Sequence, residues 1–221
     1  MGQRIVLTIL LLSIPIVAQN TYNVQPGVKN NQIVLQLSNV STTESAEISS
    51  FLNPSRGGTL EYIRFVNNKE QVVSLKPGEE KDIVFTFDVN YNIGKTEADT
   101  VEFILTDNKS VFQTRQFILR YAAPTEYKLE QNYPNPFNPT TKIRFTIPAS
   151  PKSSPKEGTF ENVTLKVYDI LGNEVTTLTN EQKEPGYYEV DFNASNFASG
   201  VYLYRLQSGD YISMKKMLLL K

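Results

Sequence analysis

From Asn31 onward the chain is written in short alternating runs. Ile33, Leu35 and Leu37 alternate with Val34 and Gln36. Further on come EYIRFV (61–66), QVVSL (71–75), KDIVFTFDV (81–89), TVEFIL (100–105) and TRQFILRY (114–121). These runs are rich in Val, Ile, Phe and Tyr, which suit a pleated, half-buried surface. Turn residues punctuate them at Asn53-Pro54, Gly57-Gly58, Asn67-Asn68, Pro77-Gly78 and Asp107-Asn108. No window of useful length keeps a helical period. The spacing predicts an Ig-like or fibronectin-like β-sandwich over residues 19–122.

AAPTE (122–126) interrupts the pattern with small residues and a proline, and residues 123–126 read as a linker. A second series follows: TKIRFTI (141–147), VTLKVYD (163–169), NEVTTLT (173–179), YYEVDF (187–192), VYLYRL (201–206) and YISMKKMLLL (211–220). Ile143, Phe145 and Ile147 share one face, as do Val163, Leu165 and Val167. Six or seven strands again predict a sandwich, over 127–221. Gly172, Gly186, Gly200 and Gly209 fall between runs, where positive φ is expected. PASPKSSPKEG (148–158) reads as a polar, mobile insertion. The fold class is therefore all-β: two antiparallel, Ig-like β-sandwich domains in tandem.

The first 18 residues differ from both. Arg4 precedes an apolar run from Ile5 to Val17, interrupted by Thr8, Ser13 and Pro15, and Ala18 is a small residue before Gln19. That order predicts a secretory signal peptide cut between Ala18 and Gln19. The run is short of the roughly 20 residues a membrane-spanning helix needs.

Composition narrows the chemistry. The chain has no His, Cys or Trp. Without Cys, an exported protein must rely on packed cores instead of disulfides. Without His and Cys, Ser-His-Asp and Cys-His catalysis and the usual structural zinc sites are excluded. The net charge of −1, with no basic stripe, argues against a nucleic-acid partner.

Two segments carry a recognisable order. QNYPNPFNPTTKIRF (131–145) sets prolines at 134, 136 and 139 among asparagines and aromatics. Proline forbids a helix and makes the residue before it extended, so this is a stiff, anchored lead into the next strand. With VTLKVYDILGNEV (163–175) and PGYYEVDFNASNFASGVYLYRLQSGDYISMKKMLLLK (185–221), it resembles the type A C-terminal sorting domain of type IX secretion cargo. The 148–158 insertion departs from the usual pattern but lies between strands. The resemblance implies export through the periplasm to the outer surface of a Gram-negative bacterium, or beyond it. The implied partners are the type IX outer-membrane translocon and its sorting-signal peptidase, with surface lipopolysaccharide as an attachment. The implied sorting signal is Lys215, Lys216, Met217, Leu218, Leu219, Leu220 and Lys221. On the residues themselves, Met217–Leu220 is apolar on both faces. One face of this last strand is expected in the core and the other toward a receptor, through an edge suited to strand addition.

Three other patterns suggest chemistry. Asp88, Asn90, Asn92 and Asp99 fit positions 1, 3, 5 and 12 of a calcium loop, but Ile93 stands where the sharp turn needs glycine. A polar hairpin loop is the favoured reading. Glu79, Glu80 and Asp82 follow Pro77-Gly78 and read as a solvated turn rather than an acid–base pair. Asn39-Val40-Ser41 has the form of a glycosylation acceptor, which carries little meaning in a bacterium. No catalytic, metal or cofactor residue is assigned. The sequence thus reads as an exported, non-enzymatic protein with a structural or adhesive first domain. The alternative is a small module binding a glycan or a surface protein, signalled by an exposed row of aromatics. An enzyme built on paired carboxylates is a distant third.

Overall fold

The computed structural model describes residues 4–10, 20–53, 60, 62–67, 69–93, 98–107, 111–148 and 160–221, and every regular element among them is a β-strand. In chain order these are β1 (Arg4–Leu10), β2 (Asn20–Val24), β3 (Asn31–Ser38), β4 (Ala46–Leu52), β5 (Ile63–Phe65), β6 (Gln71–Leu75), β7 (Glu80–Val89), β8 (Ala98–Thr106) and β9 (Val111–Tyr121). There follow β10 (Lys128–Leu129), β11 (Thr140–Ile147), β12 (Glu161–Tyr168), β13 (Glu174–Lys183), β14 (Gly186–Asn193), β15 (Gly200–Ser208) and β16 (Tyr211–Leu219). The chain divides into two units: Met1–Asn90 with Glu97–Ala122, and Tyr91–Thr96 with Ala123–Lys221.

The first unit pairs a sheet of order β1-β3-β7-β5 with one of order β2-β9-β8-β4-β6. Alternation along β7 buries Ile83, Phe85, Phe87 and Val89, and β8 buries Val101, Phe103 and Leu105. Phe85 meets Phe103 with ring centroids 4.4 Å apart, and Phe103 meets Phe117 at 5.7 Å. The first contact joins the inner faces of the two sheets into one core, the arrangement of a β-sandwich, and the second packs along one face of it. Each aromatic of this unit whose side chain is described is buried or half-buried.

Three strands of this unit were not read from the sequence as strands. β2 runs parallel to β9, from Asn20↔Phe117 to Val24↔Tyr121. β4, AEISSFL, places Ser49 and Ser50 in the interior, so its apolar residues never alternate. β1 lies inside the segment read as a signal peptide, and its backbone pairs in parallel with β3 from Arg4↔Gln32 to Leu10↔Ser38. The cleavage pair Ala18 and Gln19 lies outside the described residues, as does almost all of the 148–158 insertion. Of the described residues in the run at 61–66, Ile63–Phe65 form the strand.

The second unit stacks a sheet of order β10-β11-β14 on one of order β13-β12-β15-β16. Ile143, Phe145 and Ile147 from β11 share a core with Val163, Leu165 and Val167 from β12 and with Tyr202, Tyr204 and Leu206 from β15. Ile93 also belongs to this unit and forms a backbone bridge with Tyr187. Gly172 and Gly209 sit in turns at φ +87° and +53°, as their spacing predicts. Gly186 does not. It is the buried first residue of β14, paired with Ile147, and its φ is not positive. The turn lies just before it, at Glu184-Pro185.

A strapped terminal strand as the candidate functional site

The chain reaches its last strand with its alternation intact. On β16, Met217 and Leu219 are fully buried and Leu218 is half-buried, and Leu220, just past the strand, is exposed. Upstream, Ile212, Met214 and Lys216 also point outward. The apolar run thus splits by pleat, with two side chains inside and two outside. One edge of β16 pairs with β15 in antiparallel register from Gly200↔Leu219 to Ser208↔Tyr211.

The other edge was expected to lie open for strand addition. Along residues 216–220 it is taken instead by the proline-rich segment. Phe137 N–H donates to the Leu218 carbonyl at 3.0 Å, and Leu220 N–H donates to the Phe137 carbonyl at 3.0 Å. The Asn135 side-chain oxygen accepts from Leu218 N–H at 3.0 Å, and the Gln131 side-chain amide donates to the Lys216 carbonyl at 2.8 Å. Proline has no N–H, so Pro134, Pro136 and Pro139 could not themselves donate to this edge. The residues between them do the pairing. The Tyr133–Pro134 and Asn135–Pro136 peptides are cis. Phe137 pins the strap: it is 2% exposed and packs on Phe192. Burying one such ring stabilises by roughly 1.5–3 kcal/mol.

A buried polar cluster holds the base of the strap. Asn132 is 2% exposed. Its side-chain amide donates to the Pro134 carbonyl and to Thr141 Oγ1, each at 3.0 Å, and Thr141 Oγ1 donates to the Pro134 carbonyl at 2.8 Å. Its backbone N–H donates to the Tyr204 hydroxyl at 2.8 Å, and that hydroxyl donates to the Glu130 carbonyl at 2.8 Å. Burial pushes the Tyr204 hydroxyl up to about 12, although the Asn132 N–H opposes this by favouring the phenolate. Every partner of this cluster is hydrogen-bonded, which is what makes a buried polar group tolerable. The asparagines that look like loop residues in the sequence therefore close the last strand into the domain. Lys221 extends the closure: its N–H donates to Ser199 Oγ at 3.1 Å and its ammonium to the Ser195 carbonyl at 2.6 Å.

The other sequence candidates are occupied by structural work. Asp88 accepts from Asn30 N–H at 2.9 Å and faces Arg64 at 3.5 Å. Asp99 lies on β8 and accepts from the Tyr121 hydroxyl, while residues 94–97 lie outside the described residues. Among the described residues, no three acidic side chains gather as a cation site would need. Glu79 closes its own turn, accepting from Lys76 N–H at 2.8 Å and pairing with Lys81 at 3.1 Å. These bonds, the Lys76 N–H first, hold its carboxyl below the usual range. Asn39 is 4% exposed, and its amide reaches the carbonyls of Glu44, Leu75 and Lys76 at 2.9, 3.2 and 3.1 Å. That nitrogen is committed to the turn and offers nothing to a glycosylating enzyme.

The second unit is thus a closed β-sandwich with a stiff strap across its last strand and an outward apolar stripe beside it. Residues 131–220 match the family described as the secretion system C-terminal sorting domain, and this part of the chain is a sorting domain of that family. The domain marks its chain as cargo of the type IX secretion system, carried across the outer membrane to the cell surface or released. The match covers under half of the chain. No curated protein is significantly similar to it. Among solved structures, the chain is 15% identical to dimeric latent PorU from Porphyromonas gingivalis over 92% of this chain and 19% of that one, with a TM-score of 0.33. It is 9% identical to a glycosyl hydrolase family 2 member from Bacteroides cellulosilyticus over 89% of this chain and 24% of that one, with a TM-score of 0.31. The chain therefore spans about a fifth to a quarter of the length of these two.

Proposed function

We propose that the chain is a two-part exported protein, with a non-enzymatic structural or adhesive first unit delivered by the sorting domain that follows it. The sorting domain carries the export half of this reading. The non-enzymatic half is supported by a sequence with neither His nor Cys. It is also supported by the engagement of Asp88, Asp99 and Glu79 in local hydrogen bonds. In this reading the apolar leader directs the first crossing and is cut between Ala18 and Gln19. The sorting-signal peptidase then cuts near residues 122–126, and the freed first unit is joined to surface lipopolysaccharide or released.

The test is cell fractionation in a host with a working type IX system and in one lacking the translocon, followed by mass spectrometry of the termini. The expected result is a surface or medium form beginning at Gln19 and ending near 122–126 in the first host. In the second host, a form still carrying the sorting domain is expected in the periplasm. The same surface form in both hosts overturns the proposal.

A further inference from the structure

Cargo recognition needs a feature that a machine can grip without unfolding the domain. Met217 and Leu219 are fully buried, so the terminal residues cannot all serve as a handle. The turn between β12 and β13 meets the requirement better. Ile170 and Leu171 stand at its tip, 74% and 83% exposed. Leaving two adjacent large apolar side chains in water forfeits the burial that the rest of the domain achieves.

The tip is also rigid. The Asp169 carboxylate accepts from Leu171 N–H, Asn173 N–H and the Asn173 side-chain amide, each at 2.9 Å. Asp169 N–H donates to the Asn173 carbonyl at 2.9 Å, and Gly172 N–H to the Asp169 carbonyl at 3.1 Å. Gly172 takes φ +87°, a conformation that favours glycine. A turn that only linked two strands would not need this bracing around its least soluble residues. Preorganised apolar anchors are what binding interfaces use, because little freedom is lost on docking.

Register locates the tip. Tyr168 pairs with Leu203, Leu203 pairs with Lys216, and two residues further along Val201 pairs with Leu218. The chain leaving Tyr168 therefore turns at the end of the sheet where Leu218 and Leu220 face outward. Lys216, exposed, adds a positive charge at the same end.

We propose that Ile170 and Leu171 are the anchor by which an outer-membrane component of the type IX machinery holds this sorting domain, in an apolar groove with an acidic rim facing Lys216. Leu218 and Leu220 form the flank of the same surface. The inference rests on the reading of the domain as type IX cargo and adds the place where it is gripped.

The test uses the full chain in a host with a working translocon. Ile170→Asp with Leu171→Asp is expected to lower the thermal midpoint of the purified protein by no more than roughly 4–8 °C, since two exposed substitutions together change stability by under about 1 kcal/mol. Surface or released protein is expected to fall at least about tenfold, the effect of losing one central anchor, with the precursor retained in the periplasm. Ile170→Leu with Leu171→Met keeps an apolar tip and is expected to export normally. Parental export of the aspartate pair, or equal failure of the conservative pair, overturns the inference. Should the aspartate pair lower the midpoint further, Leu171→Ser alone decides, and its export at the parental level is equally fatal. If the unaltered chain reaches the surface without the translocon, the export route is what has failed.

Discussion

Replacing Tyr204 with phenylalanine removes one oxygen from the interior of the sorting domain and leaves the ring in place. That hydroxyl accepts the Asn132 N–H and donates to the Glu130 carbonyl, both at 2.8 Å. Tyr204 is 0% and Asn132 2% exposed, so water is poorly placed to substitute. A buried backbone donor left without an acceptor costs about 1–3 kcal/mol, and the Glu130 carbonyl loses its tyrosine donor as well. The expected loss is about 2–3 kcal/mol. In a domain of this size each kcal/mol moves the midpoint by roughly 4–8 °C, so the second unit's transition should fall by roughly 8–24 °C. Differential scanning calorimetry of the full chain reads both units, and the first unit's transition serves as the internal control. The same hydroxyl sets an alkaline limit. Tyrosine ionises near 10 in the unfolded chain and, raised by burial, at about 12 for Tyr204 in the fold. Its contribution is fully present below pH 10 and is lost as pH rises through 12, because the unfolded chain releases the proton first. Tyr204→Phe should therefore also flatten the fall in midpoint between pH 10 and 12. A Tyr204→Phe midpoint within about 2 °C of the parent would refute the view that this hydroxyl closes the strap.

Two further outcomes follow from burial. Leu219→Ala empties a fully buried site on the last strand and should cost the sorting domain about 2–5 kcal/mol, read as a lowered second transition with the first unchanged. Asn39→Ala should do the reverse, lowering the first unit's transition by about 2 kcal/mol as the Glu44, Leu75 and Lys76 carbonyls lose their donor; an unchanged first transition would contradict the role given to this amide.

The alternating strands were legible because their environment is one-sided. β7, β11, β12 and β15 each bury every second residue, and sequence period reports that directly. β4 escaped because Ser49 and Ser50 sit where apolar residues would have marked the pattern. The strap escaped for a different reason. Gln131 and Lys216 are 85 positions apart, and Asn135 and Leu218 are 83 apart. Local rules identify proline-rich chain as stiff and extended but say nothing of what it lies against. The apolar end of β16 was legible in part: the pleat puts Met217 and Leu219 inside and Leu218 and Leu220 outward, as the run suggested, but its edge is closed by the strap. The tip at Ile170 and Leu171 had a signal, a glycine turn with two large apolar residues before it, but exposure is a tertiary fact.

The strap joins nearly the first residues of the sorting domain to nearly the last. The bonds that Gln131 and Asn135 make to the last strand cannot form until Lys216 and Leu218 have been synthesised, and the fully buried Met217 and Leu219 arrive at the same moment. A chain whose synthesis stalls before them would carry a finished first unit and an address that cannot be folded. On the proposed export route, only polypeptides made past Leu219 would present a completed label.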